Sequence, residues 1–173
     1  MTQIAETERL VIREIEESDA AFMNALLNSP GFLKYIGDRG VRSDEDARRF
    51  ISERYRKSYA DNGYGLYAVL LKDNLVPVGM CGFVRRDTLP GPDLGFAFLP
   101  EHEGKGYGQE SSVAVLRYGR EELSFERVLA ITTLNNRASI RLLEKLGFTL
   151  EKKMDGPDGE RLNVFSTELD LCL

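Results

Sequence analysis

Cysteine and histidine are scarce in this chain. Of its 173 residues, two are cysteine, Cys81 and Cys172, and one is histidine, His102. There is no CxxC pair, and a zinc site would lack ligands, so no metal centre is expected. Two thiols far apart in such a chain are expected to be reduced rather than bridged. The opening MTQIAETERL has no apolar segment of the kind a signal peptide carries. No run approaches the roughly 20 apolar residues of a membrane span. Internal repeats and low-complexity linkers are missing too. Together these absences point to one cytoplasmic domain spanning residues 1–173, with no membrane partner. A net charge of −5 argues against general affinity for nucleic acid. The apolar fraction, 42%, is enough for a sizeable core.

Hydrophobic periodicity supplies the elements. RLVIREI alternates and reads as a strand over 9–15. Ser18 is then placed to cap a helix with Phe22, Ala25 and Leu26 on one face, ended by Pro30 and Gly31. Ser43 and Asp46 open a second helix, whose stripe of Ala47, Phe50, Ile51, Tyr55 and Tyr59 closes at Asn62 and Gly63. YAVLLKD and VPVGMCGFVRR form a hairpin turning at Asp73 and Asn74. LGFAFL (94–99) is a strand, 109–122 a helix, and RVLAITTL another strand. NNRASIRLLEKLG is a helix with an Asn cap and a Gly stop. Two strands around DGPDG finish the chain. The order β-α-α-β-β-β-α-β-α-β-β predicts a mixed α/β (α+β) fold. Its single sheet is largely antiparallel, with helices on both faces.

Between a strand and a helix, FLPEHEGKGYGQES holds Gly104, Gly106 and Gly108. The first N–H groups of a helix lack internal partners, and the helix dipole adds positive potential there. Glycine lets those groups converge on an anion without obstruction, and Lys105 adds a cation. Taken alone, the same spacing also describes a plain surface turn. Two familiar phosphate motifs fail. A P-loop would need Ser or Thr where Gly106 stands, and a dinucleotide fingerprint would need glycine at Gln109 or Ser111.

The wider pattern, LGFAFLPEHEGKGYGQES followed by a helix, a strand and NNRASIRLLEKLGF, resembles the GNAT superfamily of acetyl-CoA-dependent N-acetyltransferases. With the opening TERLVIREIEESDA it is similar to the branch that includes ribosomal-protein N-terminal acetyltransferases. The resemblance covers nearly the whole chain. It implies that Gly104, Lys105, Gly106, Tyr107, Gly108 and Gln109 grip the pyrophosphate of acetyl-CoA. It implies that Phe98 and Leu99 offer backbone groups to the pantetheine amides, as an added strand would. Asn136 would bond the pantetheine arm and Ser139 would sit nearer the thiol. Glu103 stands where the superfamily has Gln or Arg, so no side-chain contribution is carried over there. A homodimer is a common assembly of that fold.

Acetyl transfer to an amine requires a proton acceptor, donors for the carbonyl oxygen, and a proton or hydrogen bond for the leaving thiolate. Asp93, just before LGF, is the first candidate base, and Glu103 the second. Ser139 is the candidate donor to the thiolate. Glu110 suits the positive end of its helix without any catalytic role. His102 reads as a loop residue beside the coenzyme, and Cys81 as core. The stretch GFLKYIGDRG offers Phe32 and Tyr35 as candidate acceptor-binding residues or as helix packing. The leading function is transfer of acetyl from acetyl-CoA to a primary amine, on a protein N-terminus or a small molecule, in a ternary complex. The alternative is a non-catalytic acyl-CoA-binding module.

Overall fold

A computed structural model describes residues 2–169; Cys172 lies outside them. Eight strands form one sheet: β1 (Gln3–Glu6), β2 (Leu10–Glu14), β3 (Leu66–Leu71), β4 (Pro77–Val84), β5 (Asp93–Phe98), β6 (Arg127–Thr133), β7 (Thr149–Asp155) and β8 (Arg161–Glu168). Their spatial order is β1-β2-β3-β4-β5-β6-β8-β7. Every neighbouring pair is antiparallel except β5 and β6, which are parallel. β1 was not expected from the sequence. It is four residues long and lies half-exposed at the sheet edge, so its alternation is too short to stand out.

The helices are α1 (Ala20–Leu27), α2 (Pro30–Tyr35), α3 (Asp44–Phe50), α4 (Lys57–Asn62), α5 (Tyr107–Glu121) and α6 (Arg137–Lys145). Ser43 caps α3 as expected, its hydroxyl accepting from the Asp46 N–H at 3.0 Å. A π-helical turn, Ile51–Arg56, joins α3 to α4, and Gly63 ends α4 in the left-handed conformation. Two expectations are corrected. Ser18 makes no cap bond; the carboxylate of Asp19 takes the Glu16 N–H at 2.8 Å and the Arg13 guanidinium in a buried fork at 2.8 Å for each bond. The ionised group is the stronger acceptor and wins the site. Pro30 and Gly31 do not merely end a helix: after α1 stops at Leu27, Ser29 is the N-cap of α2, with Pro30 at a position where its missing N–H costs nothing.

One face of the sheet packs on α5 and α6 through Tyr67, Phe83, Leu116, Leu143 and Phe165. The other face packs on α1–α4 through Met23, Leu26, Ile51, Leu70 and Met80. Among the described residues, no helix is long and apolar enough to cross a membrane.

Candidate functional site

The sheet does not close in its middle. β5 is paired with β4 from Asp93 to Phe98, and β6 with β8 from Arg127 to Thr133. Between β5 and β6, among the described residues, the register pairs only Asp93 with Leu129. Pro92 closes this apex by accepting from the Leu129 N–H at 2.9 Å. Beyond it the two strands diverge into a wedge.

Backbone direction alternates along a strand. The Leu99 N–H donates to Val78 on the β4 side, at 2.9 Å. Phe98 and Phe96 therefore turn their N–H and C=O groups into the wedge. Of the two backbone positions expected from sequence, Phe98 addresses the opening and the Leu99 N–H is committed to the sheet. Leu94, Phe96 and Phe98 send side chains toward α5 and α6, while Ala97 and Leu99 face α1–α4. By alternation Asp93 belongs to the α1–α4 side.

The glycine turn lies at the wide end of the wedge. Gly106 is the N-cap of α5, at φ +84°, a conformation that side chains bearing a Cβ seldom adopt. A Cβ on Gly108 would come within 3.0 Å of Leu142 on α6 and 3.7 Å of Phe98. α5 therefore begins in close contact with both α6 and the end of β5. Lys105 and Gln109 are exposed, and Tyr107 half-buried. At the neighbouring N-terminus, Asn136 caps α6 by accepting the Ser139 N–H at 3.3 Å. Asn136 and Ser139 are both half-buried. The turn, the free backbone of β5 and the start of α6 thus surround one opening.

Asp93 sits at the other end of β5, about 17 Å away along the strand. It is 1% exposed and bonded through Oδ2 to Arg86 Nε at 2.9 Å. Burial raises its pKa to about 6, against the pull of Arg86. Glu103 is exposed, its carboxylate lying 3.8 Å from where a side chain on Gly31 of α2 would begin. Phe32 is buried in the α1–α4 core, and Tyr35 is half-buried at the surface of α2. His102 has a buried Nδ1 with no hydrogen-bond partner, and its ring lies 6.5 Å from that of Tyr107. Cys81 is fully buried, 3.6 Å from Ser112 Oγ, and burial pushes its thiol up to about 11, as befits a core residue. Among the described residues, no cluster of His, Cys, Asp and Glu could hold a metal.

Three features escaped the sequence. Arg86 as partner of Asp93 needed a loop conformation. The divergence of β5 from β6 needed pairing that no local pattern encodes. Arg9 contacts the turn from 96 and 101 residues away, and nothing in its own neighbourhood signals it.

A splayed parallel pair with a glycine turn at its mouth agrees with the chain's match to the acetyltransferase (GNAT) domain over residues 9–149. The chain belongs to that family and is an acyltransferase. The uncharacterized N-acetyltransferase YnaD of Bacillus subtilis (strain 168) is 31% identical to it over 145 residues, covering 84% of this chain and 82% of that one. A GNAT-family acetyltransferase from Bacillus anthracis superposes with a TM-score of 0.79 at 26% identity, covering 94% and 96% of the two chains. RimL, a ribosomal L7/L12 α-N-protein acetyltransferase solved with coenzyme A, superposes at 0.81 with 19% identity, covering 97% and 98%.

Proposed function

We propose that the protein transfers acetyl from acetyl-CoA to a primary amine by direct attack in a ternary complex. The observation that carries this is the wedge, with the unpaired backbone of Phe96 and Phe98 leading up to the glycine turn at the start of α5. The residues fit the coenzyme. At Gly104 an added side chain would meet nothing within 4 Å, so the turn stands open beside the N–H groups that begin α5. Residues 104–109, with Lys105, hold the pyrophosphate. Phe96 and Phe98 of the central strand offer their free backbone groups to the pantetheine arm; Leu99 does not, since its N–H donates to Val78 and its carbonyl accepts from the His102 N–H at 2.9 Å. Asn136 bonds that arm.

Acetyl-CoA supplies an already activated thioester, so no covalent enzyme intermediate is needed. Backbone N–H groups of β5 face the position where charge develops on the carbonyl oxygen. Ser139, at the mouth of the wedge beside Asn136, offers its hydroxyl to the coenzyme arm there rather than to the thiolate, which lies deeper along β5. Asp93, buried at the apex, receives the proton of the amine through water, and its pKa of about 6 suits a base working near neutrality. The amine enters from the α1–α4 side, past Tyr35, with Phe32 supporting the groove from below. The acceptor class is a protein N-terminus or a small amine.

The test is acetyl-CoA-dependent release of free thiol against a panel of N-terminal peptides and small amines. Turnover with one class and not the other assigns the acceptor. Tight acetyl-CoA binding with no turnover on any amine would instead favour the acyl-CoA-binding module.

A further inference from the structure

The glycine turn is not left to its own flexibility. Arg9, in the loop between β1 and β2, reaches across to it. Its Nε lies 2.7 Å from Glu110 Oε1, its N–H donates to Glu110 Oε2 at 3.0 Å, and its Nη1 donates to the Lys105 carbonyl at 3.0 Å. The guanidinium carbon stands 4.6 Å from the centre of the Tyr107 ring. Thr7 adds a 2.6 Å bond from its hydroxyl to Glu110 Oε2. Arg9 is itself fixed from behind, because its carbonyl accepts from the Lys72 N–H at 2.8 Å. Burial alone would raise the Glu110 pKa; the bonds from Thr7 and Arg9 outweigh it and lower the value. An isolated exposed ion pair contributes little. This one closes a network in which a fork, a backbone amide, a hydroxyl and a ring all meet the same six residues.

We infer that Arg9 is a positioning residue for the anion-holding turn, which makes the N-terminal hairpin part of the coenzyme site. The reason lies in the peptide plane. In a trans peptide the C=O of one residue and the N–H of the next point opposite ways. Holding the Lys105 carbonyl toward Arg9 therefore fixes the Gly106 N–H on the far side of the turn. A chain with glycine at three of five positions would otherwise sample many orientations of that donor, and fixing them in advance removes an ordering cost from binding. The two side-chain bonds, from Nε to Glu110 and from Nη1 to the Lys105 carbonyl, together require a planar fork, which lysine lacks.

This inference rests on the reading that the turn holds the pyrophosphate. The test compares calorimetric affinities for acetyl-CoA and for S-acetylpantetheine, which has no pyrophosphate, in wild type, Arg9→Ala and Arg9→Lys. Hydrogen exchange of the amides of residues 104–108 is followed in the unliganded proteins. Wild type prefers acetyl-CoA. Arg9→Ala weakens acetyl-CoA about tenfold and S-acetylpantetheine by less than about twofold, while the turn amides exchange faster. Arg9→Lys, which keeps the charge and secures the comparison if the alanine variant is poorly folded, still loses at least about threefold on acetyl-CoA. Equal losses on both donors, unchanged acetyl-CoA affinity, or full rescue by lysine would each overturn the positioning role. A wild type with no preference for acetyl-CoA would overturn the pyrophosphate reading itself, and this inference with it.

Discussion

The two sides of the wedge are built differently. β1–β5 form a laminated half, with α5 on one face and α1–α4 on the other, and side chains such as Tyr67, Ile12 and Phe83 have almost no exposure. The half made by β6, β8 and β7 has α6 over one face. On the other face, among the described residues, lies a small cluster of Leu89, Leu129 and Val164 with Ile131 and Met154 packed against it, and β7 is exposed nearly along its length. The comparison separates two jobs. Almost all of the largest fully buried side chains lie in the thick half, and the thin half supplies a second wall that can stand apart from the first. The opening lies where the ladder between them stops, so on the proposed reading the chemistry is placed at a boundary rather than inside either core.

The largest effect is expected at that boundary. Gly106→Val places a β-branched residue at φ +84° and a side chain where backbone donors must meet an anion. Calorimetry should show acetyl-CoA binding weakened by at least about 10³-fold, with the circular dichroism spectrum of a folded protein. Unchanged affinity would detach the turn from the coenzyme.

Next come the halves themselves. Phe83→Ala removes a fully buried ring from the thick half and should cost about 4 kcal/mol in denaturant unfolding. Leu150→Ala, at a β7 residue that is 54% exposed, should stay within about 0.5 kcal/mol. Comparable losses at both positions would mean that the thin half carries as much of the stability as the thick one.

Asp93 sharpens the contrast between stability and function. Asp93→Asn should lower turnover near neutral pH by about 10²-fold while acetyl-CoA affinity holds, with the loss shrinking at high pH where free amine forms unaided. The same carboxyl should oppose folding. Burial raises its pKa from 3.8 to about 6, so over that interval the folded protein binds more protons than the unfolded chain. Its contribution to stability therefore falls as pH rises through the interval and levels off above it, by up to about 3 kcal/mol. In Asp93→Asn this part of the pH dependence of melting should vanish. A variant with wild-type turnover would leave Glu103 or bulk water as the proton acceptor.

Among the changes at the site, the last lies at α6. Asn136→Ala should cost about 1–3 kcal/mol in acetyl-CoA affinity through one or two lost hydrogen bonds. Asn136 also caps the helix. Lower melting temperature with unaltered affinity would assign it to the cap alone.

What the sequence disclosed follows the range of the interactions. Strand alternation, the Ser43 cap and the glycine turn are encoded within a few residues, and the structure has them where the pattern put them. Ser18 and Pro30 were misread because each competes with a neighbour, Asp19 in one case and Ser29 in the other, and the winner depends on tertiary partners such as Arg13. Asp93 and the turn were both visible as residues. That they stand at opposite ends of one unpaired strand edge was not, since the divergence of β5 and β6 is a property of two segments more than thirty residues apart. Arg9 reads in the sequence as the start of a strand and as part of the TERL family opening, and neither reading links it to the turn.

The interior divergence of β5 and β6 has a consequence for solubility. An unsatisfied strand edge on an open surface invites any extended chain to add to it, which is how sheets aggregate. Here the two free edges face each other in a tapering recess that is pinned at Asp93 and Leu129. A foreign strand would have to fit between walls that converge, and its side chains would find no room as it approached the pinned end. A slender chain carrying amides but no side chains meets no such obstacle. The taper therefore filters by thickness, and it lets a protein keep a sticky edge in its interior without offering it to its neighbours.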